Sequence, residues 1–169
     1  MKKLSRTLVS SVLFFSILAT GTSAMASDAK ELTENYEIDW SKAWDEVGSL
    51  SDKEEFGSLN DPNSFGTYSY GNLATGSTAL GVSSKGVTST GKTKGKVIST
   101  VTSATTSLRN VSRGITGTGP KKTAIGKYTA TSEYTMGLTR GNVYTGVTVH
   151  TATHTGILYD QKTSASNAY

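Results

Sequence analysis

Hydrophobic and polar positions alternate most regularly in the last third of the chain. Tyr128, Ala130, Ser132, Tyr134 and Met136 share one parity, and Thr129, Thr131, Glu133 and Thr135 share the other. This two-residue period belongs to a strand with two unlike faces. After the turn-like sequence Thr139-Arg140-Gly141-Asn142, a second run begins. Val143, Thr145, Val147 and Val149 alternate with Tyr144, Thr148 and His150. The two runs predict a β-hairpin. Ile157, Leu158 and Tyr159 predict one further strand, and the small polar residues from Lys162 to Ala168 predict a frayed tail.

Earlier segments are less uniform. From Ser64 to Gly91, six pentads share the form small-x-Gly-x-x. An odd period sends equivalent residues of a flat strand to opposite faces at successive repeats. The pattern therefore predicts short strands broken by glycine bulges and turns, with solenoid turns or a flexible glycine-rich segment as alternatives. Between Lys96 and Ile115, the apolar residues Val97, Val101, Ala104, Leu108, Val111 and Ile115 recur at alternating spacings of four and three, a helical seam. Against that, seven of the twelve residues from Val97 to Leu108 are β-branched and lose side-chain freedom in a helix. A strand is the favoured reading. If helical, Lys96, Arg109 and Arg113 would flank an apolar stripe as on a membrane-surface helix.

Asp39 predicts the cap of a short helix that places Trp40, Ala43, Trp44 and Val47 on one face and stops at Gly48. Two tryptophans on so short an element have too much apolar area to leave in water. Packing onto the main domain as a lid is expected, with anchoring to a partner as the alternative. Ser51-Asp52-Lys53-Glu54 has capping-box spacing and predicts one more helical turn, and Asn60-Asp61-Pro62-Asn63 reads as a turn. The resulting fold class is mainly β, an antiparallel sandwich or small barrel with a short N-terminal helix.

The first 26 residues change the picture by giving an address. Lys2, Lys3 and Arg6 precede an apolar run from Leu13 to Ala19, and Ala24-Met25-Ala26 follows. This is the layout of a secretory signal cut before Ser27. A spanning helix would need about 20 apolar residues, and Ser10, Ser11, Ser16 and Thr20 interrupt this one. The expected organisation is a signal (1–26), an acidic leader (27–61), a Gly/Thr/Ser-rich basic β domain (62–161) and a flexible tail (162–169). The chain has no cysteine, so disulfides and thiolate metal sites are excluded. An extracellular location and a bacterial origin fit best.

Charge divides the chain. Asp28 to Asp61 holds eleven acidic and three basic residues, whereas Pro62 to Tyr169 holds eleven basic and two acidic. Between Asp61 and Glu133 there is no carboxylate side chain, yet Lys85, Lys92, Lys94, Lys96, Arg109, Arg113, Lys121, Lys122 and Lys127 lie there. Such a stretch should attract polyanions. The competing reading is a solvated surface balanced by the acidic segment of the same molecule.

Catalytic chemistry is scarce. Past Pro62 the only carboxylate side chains are Glu133 and Asp160, and the only histidines are His150 and His154. Four strand residues span about 13 Å, too far for the two histidines to share a metal, and both are expected to be exposed. No Gly-x-Ser-x-Gly, dinucleotide loop or Walker loop is present. The expectation is a non-enzyme without cofactor or metal. Threonine makes up 23 of the 108 residues from Pro62 onward, often as Thr-x-Thr. On strands these form hydroxyl rows suited to a wet, cross-strand-paired face. The sequence thus implies an exported protein whose cations meet an anionic polymer or membrane surface. Antibacterial or pore-forming attack and self-association are the alternatives.

Overall fold

The structure is a computed structural model and describes residues 27–57 and 72–169. The signal-like segment, the turn at residues 60–63 and the first pentads lie outside the described residues. Among the described residues two helices come first, α1 (27–35) and α2 (Trp40–Asp45), and a 3-10 turn at Val47–Ser49 follows α2. Nine strands follow among the described residues: β1 (Lys53–Phe56), β2 (Ala74–Ser83), β3 (Gly86–Gly95), β4 (Val101–Asn110), β5 (Ile115–Thr118), β6 (Lys122–Ile125), β7 (Thr129–Met136), β8 (Val143–His154) and β9 (Ile157–Ala168). They form two antiparallel sheets. Sheet A has the order β1-β2-β3-β7. Sheet B has the order β5-β4-β8-β9, with β6 also paired to β4. Strands β3 and β7 of sheet A lie against β4 of sheet B, and β3 also against β8, so the molecule is a sandwich rather than a closed barrel.

The space between the sheets has three zones. At one end Phe56, Leu73, Ala74 and Ala152 make an apolar plug. At the other end Val87, Leu108 and Tyr144 make a second, flanked by Leu80, Tyr134 and Met136. The middle is filled by buried hydroxyls and one imidazole. Thr78 donates to Thr148 (2.8 Å), Thr148 to Thr106 (3.1 Å), and Ser89 shares a hydrogen bond with Thr106 (2.8 Å). Small side chains and glycines let these groups reach across. A Cβ at Gly76 would lie 2.5 Å from the His150 ring, and one at Gly91 would collide with Thr148. Among the described residues every buried hydroxyl except those of Thr100 and Thr105 has a partner, so a polar interior is compatible with folding.

His150 is therefore not an exposed strand histidine. It is fully buried. Its Nδ1 and Nε2 each stand 2.7 Å from a hydroxyl, of Thr93 and Thr163 respectively. Thr93 spends its own proton on the Ser103 carbonyl (2.6 Å), so Nδ1 carries the ring proton and Nε2 accepts from Thr163. Burial away from any compensating carboxylate pushes its pKa from 6.5 down to about 3.

Four other expectations are corrected. The two alternating runs of the last third are strands, but they form no hairpin with each other. β7 pairs with β3 in sheet A, whereas β8 pairs with β4 and β9 in sheet B. The link between them crosses the sandwich and is fixed by the Tyr144 hydroxyl, which accepts from Thr139 N (2.7 Å) and donates to the Gly137 carbonyl (3.1 Å). Residues 162–168 do not fray, since β9 pairs with β8 as far as Ala168. Ser51-Asp52-Lys53-Glu54 starts a strand, not a helical turn, because Phe56 must extend to reach Leu73 and Ala74. The glycine pentads from Ala74 onward form two regular ten-residue strands in unbroken register, not short bulged pieces. Residues 101–110 are strand, in line with the β-branched content.

Segment 27–50 lies across the outer face of sheet B. Asp39 caps α2 by accepting from Lys42 N (3.1 Å). Ala43, with Trp40 and Trp44 beside it, packs on Val147 and Val149, and this is the lid expected of the two tryptophans. Thr33 of α1 shares a hydrogen bond with Thr153 (2.8 Å). The chain then passes the β9 edge, where the Ser51 carbonyl accepts from Ser164 N (2.8 Å), and enters sheet A as β1. The acidic segment thus becomes part of the sheet at residue 53, ahead of the boundary expected near Asp61.

Candidate anion-binding surface

The nine cations singled out by the sequence go to three different places. Lys92, Lys94 and Lys96 rise at or beside the outer face of sheet A, which carries no helix among the described residues. Arg109 and Lys121 turn toward the N-terminal segment. The Arg109 guanidinium stacks 4.1 Å from the Trp44 ring centre. Lys121 Nζ donates to the Glu34 (3.0 Å) and Tyr36 (2.8 Å) carbonyls at the C-terminal end of α1, where the helix dipole favours a cation. The rest are dispersed. Lys85 sits in the β2–β3 turn and Arg113 in the 3-10 turn Val111–Arg113 at one end, Lys127 in the β6–β7 loop at the other, and Lys122 on the edge strand β6. They do not form a single patch.

The group that does come together is smaller and includes a residue the sequence reading left in the acidic leader. Strand registers align Lys53, Ser77, Lys92 and Thr131 in one row across sheet A, and Glu55, Thr75, Lys94 and Thr129 in the next. Neighbouring strands are about 4.8 Å apart and alternate residues of one strand about 6.7 Å apart, so Lys53, Lys92 and Lys94 fit within roughly 12 Å. All three are exposed and, among the described residues, none is in a salt bridge. Lys96 is neutralised by Glu55 (2.7 Å), and that bond holds the Glu55 carboxyl below its ordinary pKa. Ser77 and Thr75 stand between the lysine strands and Thr129 and Thr131 beside them, all short hydroxyl side chains, while Glu55 and Glu133 share the same face, Glu55 held by Lys96 and Glu133 accepting from Thr90. The alternation Lys53/Glu55 against Glu54/Phe56 was the signal for this, hidden by the capping-box reading.

Two hollows lie elsewhere. One of about 320 Å³ runs beneath the link from α1 to α2, bordered by Tyr36, Asp39, Lys42, Asp160 and Lys162. Tyr36 donates to Asp160 (3.1 Å), and its phenol is pushed up to about 12, first by burial and then by that carboxylate. A second, of about 600 Å³, is lined by Asp28, Glu31, Leu32 and Leu158. Carboxylates in both make them poor receptors for an anion. Among the described residues there is no cluster of three metal-ligating side chains, and no helix is long and apolar enough to cross a membrane. Comparison with protein-family models, curated proteins and solved structures finds no match to this chain.

Proposed function

We propose that this is a secreted, non-catalytic protein that binds an anionic polymer of a cell envelope or matrix through the outer face of sheet A. One observation carries the reading. Lys53, Lys92 and Lys94 are gathered on a flat, hydroxyl-rich face and have no acidic partner among the described residues, whereas Arg109 and Lys121 are used internally. Regularly spaced ammonium groups suit a chain of regularly spaced phosphates or carboxylates, and neighbouring threonines add hydrogen bonds without specificity for one sugar or base.

Such binding is electrostatic and screened by salt. Titration of the full chain against polyglycerol phosphate and against heparin, at low and high salt, tests it. The expected outcome is binding at low ionic strength that weakens steeply as salt rises. Absence of binding to both polymers at low salt, or binding insensitive to salt, contradicts the proposal.

A further inference from the structure

Exposed apolar side chains converge at one end of the sandwich, away from the lysine face. Among the described residues three loops meet there: the β3–β4 loop (96–100), the β6–β7 loop (126–128) and the β8–β9 turn (155–156). They are tied together. Gly126 N donates to the Thr100 carbonyl (2.7 Å), Gly126 lies against Ile98, and Ser99 Oγ shares a hydrogen bond with His154 Nδ1 (3.1 Å). From this end project Ile98 at 77 % exposure, Tyr128 at 79 %, and Ile125 and Ile157 at 51 % each. At the opposite end Val82, Val111, Ile115, Leu138 and Val143 are also exposed, but none passes 50 %.

We infer that this loop end is a membrane-contact tip, which inserts Ile98 and Tyr128 into the interfacial zone of an anionic phospholipid bilayer. Ile98 and Tyr128 have the apolar area to gain from leaving water, and a phenol sits well where one side is apolar and the other wet. Charge selects the occupant. The three loops contain Lys96 and Lys127 and no carboxylate, His154 ends β8 beside them, Lys94 stands just behind, and Lys96 is held by Glu55 of β1. A few apolar side chains beside Lys94 and Lys127, neither of them in a salt bridge among the described residues, match a headgroup layer of negative charge over hydrocarbon. The inference goes beyond the polyanion reading, and its apolar anchors, Ile98 and Tyr128, lie outside the lysine face.

The chain lacks cysteine, so single labels can be placed cleanly. Full-length Ile98→Cys and, as a control at the opposite end, Val82→Cys are each labelled with an environment-sensitive fluorophore and mixed with phosphatidylglycerol/phosphatidylcholine vesicles. The expected result is a blue shift at position 98 alone, absent with pure phosphatidylcholine. In unlabelled chains with unchanged circular dichroism, Ile98→Ser/Tyr128→Ser lowers vesicle co-sedimentation by about tenfold or more, the loss expected for two apolar side chains. The same double variant leaves heparin binding unchanged, so failure of the tip and failure of the lysine face are separable. No shift at either label, equal shifts at both, or a shift that follows protein concentration without vesicles overturns the inference, the last by making the tip a contact between copies.

Discussion

Gly76 and Gly91 carry hydrogen where any other residue carries at least a methyl group, and this lets His150 and Thr148 fill the gap between the sheets. Alanine at either position forces a shift of packed side chains. Gly76→Ala and Gly91→Ala are each expected to cost about 1–3 kcal/mol in denaturant unfolding, against little change for Gly81→Ala, whose added methyl meets open space. His150 gives the molecule an acid sensitivity with a defined sign. Its pKa falls from 6.5 to about 3 in the folded state, so between these values the unfolded chain binds the extra proton and stability declines as pH falls. The loss approaches about 1.4 kcal/mol per pH unit well inside that window. Unfolding measured at pH 7 and pH 5 should show roughly 2 kcal/mol less stability at pH 5, and His150→Gln should remove most of that difference. Equal pH dependence in the parent and the variant would contradict the burial argument. The odd period of the pentads was legible in the sequence as glycines on alternating faces. The burial of His150 was not, because flanking threonines read as a wet surface when they are the partners that make a dry one possible.

Single strands were legible at the scale of elements, but their partners were only partly so. Alternation correctly marked β7 and β8, yet alternation carries no information about which edge a strand joins. The six residues from Gly137 to Asn142 are long enough to cross between sheets, and the bonds of the Tyr144 hydroxyl fix that crossing. The tail looked too polar to order, because its order comes from pairing with β8 and from Thr163 reaching His150. Removal of residues 163–169 should therefore lower stability by several kcal/mol, on the order of losing a buried hydrogen-bond partner together with half a strand. A truncated chain with unchanged midpoint would refute this role for β9. The N-terminal segment is likewise structural. Trp44 packs on Val147 and Val149 and under Arg109, so Trp44→Ala should cost about 1–3 kcal/mol and Arg109→Ala about 0.5–1 kcal/mol, the latter near the value of one exposed cation–π contact.

The whole molecule keeps the opposite charges of its two halves but uses them in a way that segment totals conceal. Part of the acidic segment is held by cations of the basic one: Glu46 by Lys162 (2.7 Å), and Glu55 by Lys96 (2.7 Å). The N-terminal segment covers sheet B and engages Arg109 and Lys121. Lys92 and Lys94 remain open on the other sheet, so displacement of the segment is not required to expose them. The sequence showed that cations were in excess. Only strand register showed that Lys53 belongs with Lys92 and Lys94 and that Lys85 and Arg113 do not. The direct test compares two full-length variants with the same change in charge, Lys92→Glu/Lys94→Glu on the face and Lys85→Glu/Arg113→Glu at one end, in binding to polyglycerol phosphate at fixed salt. The account predicts a loss of about tenfold or more for the face variant and less than about threefold for the end variant, in keeping with the modest worth of exposed charge contacts and the steep cost of reversing clustered ones. Equal losses in the two variants would mean that net charge alone governs binding, and would contradict a binding face on sheet A.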